Sequence, residues 1–403
     1  MGMTPRQKGR SVGFGVDQIV ENRFRLPQDG RFGLLTNDAA LTASDPALRS
    51  RVALQRARIN LVRLFSPEHG MTADVADGAP VPHGYDSYTD LKVVSLYGDN
   101  IRPTRDMLSG LDGMLVDLPD IGTRYYTYIW TMSHVLKVCA EVDLPLWILD
   151  RPNPIGGDLS VAEGPLLDES RCDSLVGRFA IPIRHCLTIG ELARLWNCEY
   201  GWNAKLDVVP AYDWKRSDHH PSTKLRFVST SPAIPTYDSA LLYPGTCLFE
   251  ATNISVGRGT ALPFQQVGAP WLDADRLRQR FMELQLPGIM SNTVSFTPQI
   301  GPYQGELCKG VQLVITDQFA LRPVAMGFSL LNTVITQSRE DFEWSRYPTT
   351  ANPLGEDHFE RLIGVKGIAD VLSTQRESLA TEIRNWTTVP NWTKRAAPHL
   401  CYS

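Results

Sequence analysis

The segment Pro67-Glu68-His69-Gly70 places a carboxylate beside an imidazole, two side chains that enzymes often use to move protons. It follows the apolar run 60–65, which predicts a buried strand, and its proline and glycine predict a sharp turn. Ligands of open α/β sheets bind where the strands end at their carboxyl edge. Glu68 and His69 are therefore candidate site residues. The alternative is a solvated turn without a chemical role.

Two further apolar runs also end at ionisable side chains. These side chains are Asp117, Asp120, Asp150 and Arg151. In a parallel sheet the carboxyl ends of neighbouring strands lie at one edge, so we expect these residues to converge with Glu68 on a single functional cleft.

Short apolar segments alternate with helix-like segments between residues 31 and 209. The strands are apolar throughout, which is typical of a parallel sheet covered by helices on both faces. After residue 212 the chain becomes richer in proline, glycine and polar residues. We predict an α/β domain over residues 1–212 and a smaller α+β domain over residues 213–403 that completes the cleft.

The composition is that of a globular protein, with 43% hydrophobic and 21% charged residues. A length of 403 residues is too great for one ordinary core, which favours two domains. The net charge of −4 argues against a general nucleic-acid binder. No run approaches the roughly 20 apolar residues of a membrane span.

The compartment is predicted from two features. The segment Met1 to Arg10 is basic but lacks the apolar centre of a signal peptide, and the seven cysteines are scattered without a C-x-x-C pair, as reduced thiols are. We expect a cytoplasmic protein; export is the alternative if a leader has been removed. A catalytic thiol at His185-Cys186 is conceivable, although a free cysteine more often packs as a small hydrophobe.

Cofactor motifs are missing from the sequence. No G-x-G-x-x-G follows the first strand and no H-E-x-x-H spacing occurs, so we predict neither a dinucleotide nor a metal ion. This disfavours a nucleotide-binding oxidoreductase.

Short motifs occur in order along most of the chain. They are Ser66-Pro-Glu-His-Gly70, Ser95-Leu-Tyr-Gly98, Asp117-Leu-Pro-Asp-Ile-Gly-Thr-Arg124, Asp150-Arg-Pro-Asn-Pro154, Glu163-Gly-Pro165, Ile181-Pro-Ile-Arg-His185, Gly190-Glu-Leu-Ala193, Tyr243-Pro-Gly245, Glu250-Ala-Thr-Asn253 and Gly257-Arg-Gly-Thr260. With these motifs the chain resembles the bacterial exo-β-N-acetylmuramidase family from about Gly15 to the C-terminus.

The resemblance implies a Rossmann-like N-terminal domain, a smaller C-terminal domain and an active cleft between them. It also implies a glycosidase of cell-wall recycling, which releases N-acetylmuramic acid from the non-reducing end of a muropeptide-derived disaccharide or short glycan. The family's proposed catalytic glutamate corresponds to Glu68.

Glycoside hydrolysis normally needs two carboxyl groups, one on either side of the glycosidic bond. Glu163, in a loop held by glycine and proline, is the preferred partner of Glu68. Asp117, Asp120 and Glu250 are the alternatives.

An enzyme that selects N-acetylmuramic acid needs a cation for the lactyl carboxylate, preferably an arginine. The motifs offer Arg124, Arg151, Arg184 and Arg258, each of which could instead be structural.

The remaining candidates for substrate binding are polar or aromatic residues of the same motifs. They are His69, Tyr126, Asp150, His185, Glu250 and Asn253. Tyr126 could stack on a sugar or pack the helix start, and the histidines could orient Glu68 or be buried structural residues.

A rival function keeps the same cleft without hydrolysis. A non-catalytic protein that binds amino sugars or muropeptides would need the polar residues but no essential carboxylate at Glu68.

Overall fold

The structure is a computed structural model that describes residues 12–349, 352–373 and 378–403. The basic segment Met1 to Arg10, on which the expectation about a leader rests, lies outside the described residues.

A seven-stranded sheet forms the larger domain. Its strands are β1 (Phe32–Leu35), β2 (Leu61–Ser66), β3 (Gly84–Asp86), β4 (Leu91–Ser95), β5 (Gly113–Val116), β6 (Leu146–Leu149) and β7 (Leu206–Val209). The spatial order is β3-β4-β2-β1-β5-β6-β7, and every pair is parallel except the edge pair β3–β4. The order runs outward from β1 in both directions, as in doubly wound Rossmann-like sheets, which confirms the predicted fold class.

The helices of the described chain are α1 (Gly15–Val20), α2 (Ser50–Arg56), α3 (Arg105–Leu108), α4 (Tyr128–Glu141), α5 (Glu169–Cys172), α6 (Ile189–Glu199), α7 (His220–Thr223), α8 (Tyr237–Thr246), α9 (Ala274–Glu283), α10 (Pro323–Gln337), α11 (His358–Ile363), α12 (Ile368–Leu372), α13 (Leu379–Thr387) and α14 (Trp392–Ala396). Short 3₁₀ turns occupy Leu159–Val161, Cys247–Ala251 and Ala397–His399.

Helices cover both faces of the large sheet. Leu34 of β1 belongs to the apolar cluster that contains Val16 of α1, whereas the next residue, Leu35, belongs to the cluster that contains Ile129 of α4. Successive side chains of a strand point to opposite faces, so a strand buried on both sides must be apolar throughout. All four residues of β1 are buried.

The smaller domain contains a three-stranded antiparallel sheet. Its strands are β8 (Gln266–Ala269), β9 (Ile289–Phe296) and β10 (Cys308–Ile315), in the order β8-β10-β9. Helices α8 and α10 cross closely at Gly245 and Gly327, where a Cβ on Gly245 would lie 3.0 Å from the Cα of Gly327. Glycine at both positions permits this approach.

Over the part of the chain that the structure describes, no helix combines the length and the apolar composition needed to cross a membrane.

Candidate active site

Glu68 lies just beyond β2, at the carboxyl edge of the large sheet. The chain turns at once, and His69 has a positive φ of 66°, an uncommon conformation for a residue with a Cβ. Its Nδ1 lies 2.7 Å from the carbonyl oxygen of Val75, which holds the ring in place. Glu68 itself is buried, with 6% of its surface exposed.

Both carboxylate oxygens of Glu68 accept hydrogen bonds. The amide of Gly78 donates to Oε1 at 2.8 Å and the hydroxyl of Thr127 donates to Oε2 at 2.6 Å. Burial and the adjacent Glu68 carboxylate raise the pKa of Tyr97, so its hydroxyl stays protonated beside Glu68. This set of donors suits an ionised carboxylate held in one orientation.

Glycine at position 78 is required by its surroundings. Its φ is 69°, and an added Cβ would lie 2.9 Å from the side chain of Thr349 in the smaller domain. The loop can therefore present its amide to Glu68 only with glycine here.

Two further carboxylates share the cavity and are joined by Arg258. Its Nε pairs with Glu250, and its Nη1 pairs with Asp77 at 2.9 Å. Arg258 of the smaller domain is thereby connected to the loop whose next residue, Gly78, donates to Glu68. Tyr347 also donates its hydroxyl proton to Asp77.

The two carboxylates differ in their pKa values. Burial favours a raised pKa for Asp77, but Arg258 and the Tyr347 hydroxyl outweigh it and lower the pKa. Burial raises the pKa of Glu250, and Arg258 opposes this effect. Of the two, Asp77 is held as the more firmly ionised group.

The cavity around Glu68 has a volume of about 90 Å³ and lies between the two domains. Its acidic and basic lining groups are Glu68, Asp77, Glu250 and Arg258, together with His69 and His358. Its aromatic lining residues are Tyr97, Tyr125, Tyr126, Tyr243, Phe264 and Tyr347. We refer to it as the Glu68 cavity.

The prediction that the three strand ends converge on a single cleft is wrong. Asp117 is fully buried and binds Arg151 through contacts of 2.5 and 3.0 Å. Arg151 and Asp120 line a separate cavity, which shares no lining residue with the Glu68 cavity among the residues described. The strands do end at one edge, but the chain between them divides that edge into two spaces.

Glu163 does not line the Glu68 cavity as the structure describes it. Its carboxylate is buried and accepts hydrogen bonds from the amides of Val324 and Ala325 at 3.2 and 2.9 Å, at the start of α10. Burial raises its pKa, while Arg184 and the two amides act in the opposite direction. Glu163 thus caps a helix of the smaller domain.

Two of the arginines predicted to bind the lactyl group are buried and donate to backbone carbonyls of the protein. Arg124 donates to the carbonyls of Pro165, Ile181 and Leu362 at 2.6–2.9 Å, and Arg184 donates to the carbonyl of Ile155 at 2.8 Å. Both side chains are nearly inaccessible to solvent.

Three other candidates are engaged in structural contacts. Asp150 accepts from Thr188, Gly190 and Tyr402, and burial raises its pKa to about 6. His185 is fully buried and its Nδ1 accepts from the amide of Leu187. The side chain of Asn253 bonds to the backbone of Asp341 and Glu343.

The sequence analysis missed Asp77, Thr127, Tyr347 and His358. Asp77 and Gly78 form an Asp–Gly pair, which indicates a turn but does not show that the turn folds back onto Glu68. Tyr347 and His358 come from the far end of the chain and stack on each other with ring centroids 4.6 Å apart. No local pattern links them to Glu68.

The described residues contain no group of three or more His, Cys, Asp or Glu side chains placed to hold a metal ion.

The fold and the Glu68 cavity define a two-domain α/β protein with an acidic site at the domain boundary. Family models described as exo-beta-N-acetylmuramidase NamZ match residues 32–238 with the N-terminal model and residues 241–402 with the C-terminal model. The chain therefore belongs to the exo-β-N-acetylmuramidase NamZ family.

Individual relatives agree with this assignment. The chain is 39% identical to the peptidoglycan beta-N-acetylmuramidase NamZ of Bacillus subtilis strain 168 over 386 residues, which cover 95% of this chain and 87% of that protein. Crystal structures of two DUF1343 family proteins from Bacteroides fragilis NCTC 9343 superpose with TM-scores of 0.86 and 0.72 at 29% and 26% identity. Each comparison covers 98% of this chain and 99% of the other.

Proposed function

We propose that the chain is a glycoside hydrolase that releases N-acetylmuramic acid from the non-reducing end of peptidoglycan fragments. The observation that carries the proposal is the Glu68 carboxylate, fixed by the Gly78 amide and the Thr127 hydroxyl inside a small cavity between the domains. Family membership supplies the sugar and the linkage.

The chemistry requires a proton donor for the leaving oxygen and a second group that stabilises or attacks the sugar. Glu68, held by hydrogen-bond donors, suits the ionised role. The partner carboxyl belongs to Glu250 or Asp77, which share the cavity, rather than to Glu163. Burial raises the pKa of Glu250, which is the direction that a general acid needs.

Recognition of the lactyl carboxylate is assigned to Arg258. It is the arginine among the four candidates that lines the described Glu68 cavity. Its side chain is 12% exposed and pairs with Asp77 and Glu250, so the lactyl carboxylate would compete with these two carboxylates for the guanidinium.

The substrate is proposed to be a muropeptide-derived disaccharide or short glycan, and the compartment a reducing one such as the cytoplasm. All seven cysteines are free, and five of them are buried. Disulfides are rare in reducing compartments, where buried thiols persist.

The test is release of para-nitrophenol from its β-N-acetylmuramic acid glycoside and from the N-acetylglucosamine analogue. The proposal predicts release from the muramic substrate at a rate at least tenfold above that from the analogue. Glu68→Gln should lose this release, and Glu306→Gln is its matched control because Glu306 is exposed and does not line the described Glu68 cavity. No release from either glycoside, with N-acetylmuramic acid still raising the melting temperature, would instead establish the binding protein.

A further inference from the structure

A second cavity of about 280 Å³ lies at the carboxyl edge of the large sheet, beside the ends of β1, β5 and β6. The strand order turns outward in both directions at β1 and β5, and such a switch point is where open α/β sheets form their ligand crevice. Segment 214–230 closes this space on the other side. We call it the switch-point cavity.

The wall between the two cavities is well defined. Thr230 lines the switch-point cavity and the next residue, Ser231, lines the Glu68 cavity. Tyr126 donates its hydroxyl proton to Thr230 at 2.7 Å, and Tyr128 donates to the Thr230 carbonyl at 2.6 Å. These contacts make the switch-point cavity a separate compartment rather than an extension of the cleft.

The two cavities carry opposite charge. Arg151, Lys224 and Arg226 line the switch-point cavity with Asp120 as the one acidic lining residue described. The Glu68 cavity has three carboxylates and one arginine. An anion is therefore favoured in the switch-point cavity.

Arg151 is fixed for recognition. Asp117 holds two of its nitrogens, the carbonyl of Leu41 accepts from Nη2 at 2.8 Å, and the guanidinium lies 4.4 Å from the centroid of the Phe14 ring. Its third nitrogen, Nη1, has no hydrogen-bond partner among the described residues. A planar guanidinium held in this way can offer one donor to an anion at little entropic cost.

Asp120 is a second residue of this cavity with a polar atom that lacks a hydrogen-bond partner in the described chain. Its Oδ2 accepts from the amide of Gly122 at 2.9 Å and lies 3.5 Å from Nε2 of the buried His185, while its Oδ1 is buried without a hydrogen-bond partner in the described chain. A buried acceptor of this kind is satisfied by a hydroxyl donor. Phe14, Trp214 and Phe227 add apolar ring surfaces to the same cavity.

We propose that the switch-point cavity binds an anionic sugar, a monosaccharide that carries a carboxylate or a phosphate. The anionic group meets Arg151, Lys224 and Arg226, a sugar hydroxyl donates to Asp120, and the apolar face of the sugar ring packs on the aromatic residues. Recognition of this ligand is independent of the hydrolytic function.

The test is equilibrium dialysis of the full chain against glucuronic acid, glucose 6-phosphate and neutral N-acetylglucosamine. The charge-reversed variant Lys224→Glu/Arg226→Glu changes two exposed residues at the cavity. Arg276→Glu/Lys309→Glu is the matched control, with the same charge change at exposed sites of the smaller domain. Hydrolysis of the para-nitrophenyl muramic substrate is measured on each protein.

The proposal predicts that wild type and control bind at least one anionic sugar at least tenfold more tightly than the charge-reversed variant. Binding of glucuronic acid identifies a carboxylate ligand and binding of glucose 6-phosphate a phosphate ligand. Hydrolysis stays within twofold in all three proteins. The proposal is overturned if wild type binds neither anionic sugar, if charge reversal leaves binding unchanged, or if binding and hydrolysis fall together.

Discussion

Glu68 and Glu163 look alike in the sequence and are buried alike in the structure, yet their surroundings differ. Each lies in a loop that contains proline and glycine, after a strand of the large sheet. Glu68 accepts from a loop amide and a side-chain hydroxyl inside a cavity, whereas Glu163 accepts from two amides at the start of α10.

The difference lies in what the rest of the chain brings to each carboxylate. A helix start supplies backbone donors and partial positive charge, which makes Glu163 a link between the domains. Glu68 faces open space, other carboxylates and an arginine. Burial and a rigid loop are therefore common to both glutamates, and the neighbouring cavity is the feature on which the proposed catalytic role of Glu68 depends.

The largest effect that separates the two glutamates is expected for Glu68→Gln. The kcat should fall on the order of 10³-fold, because a carboxylate that takes part in the chemistry becomes a neutral amide of the same size. The free energy of unfolding should stay within about 1 kcal/mol of wild type, since the amide oxygen can still accept from Gly78. Steady-state kinetics and urea denaturation measure the two quantities, with Glu306→Gln as the control. Full activity in Glu68→Gln would contradict the assignment.

Glu163→Gln should show the opposite pattern. The glutamine oxygen can accept from only one of the two α10 amides, and the side-chain NH₂ then faces the other amide donor, so we expect a stability loss of about 3 kcal/mol. The kcat per folded molecule should remain within a few-fold of wild type. Urea denaturation monitored by circular dichroism gives the stability. A large loss of kcat in fully folded protein would return Glu163 to the catalytic pair.

Asp77→Asn tests the link between the smaller domain and Glu68. The pair of Asp77 with Arg258 fixes the loop whose next residue donates to Glu68, so weakening it should lower kcat about tenfold through misplacement of the carboxylate. A loss of kcat on the order of 10³-fold would assign Asp77 as the partner carboxyl. A change in KM alone, with kcat intact, would assign it to substrate binding. Asp74→Asn, an exposed change in the same loop, is the control.

His358 gives a smaller, pH-dependent effect. Burial, with Arg361 and Arg258 nearby, lowers its pKa from 6.5 to about 4. The unfolded chain therefore binds this proton more readily, so stability that is present above pH 6.5 is lost as the pH falls towards 4. At pH 5 the loss attributable to His358 should be on the order of 1 kcal/mol. Urea denaturation of wild type and His358→Asn between pH 7 and pH 4.5 measures it, with exposed His83→Asn as the control. Parallel curves for wild type and His358→Asn would contradict it.

The sequence predicts the sheet well because strands buried on both faces must be apolar, as in β1 and β5. It also finds Glu68, Glu250 and Arg258, whose motifs lie in turns at the cavity. It does not find the contact of Tyr347 with Asp77 or the hydrogen bond from the Gly78 amide to Glu68. Both contacts depend on how segments that no local pattern connects pack together. The division of the sheet edge into two cavities has the same origin: Thr230 and its neighbours come from outside the strands and separate Asp120 from Glu68.

The domain boundary at residue 212 and the individual roles of the site residues stay predictions.

The most direct test of the central claim is chemical rescue by formate. With Glu68 as the proposed catalytic carboxylate, Glu68→Ala leaves a hole that a small carboxylate can enter, so added sodium formate should restore release of para-nitrophenol from the muramic substrate by roughly tenfold. Glu163→Ala, in which the missing carboxylate lies at a helix start, should show no formate-dependent gain. Rescue of Glu163→Ala without rescue of Glu68→Ala would contradict the account and move the reaction away from the Glu68 cavity.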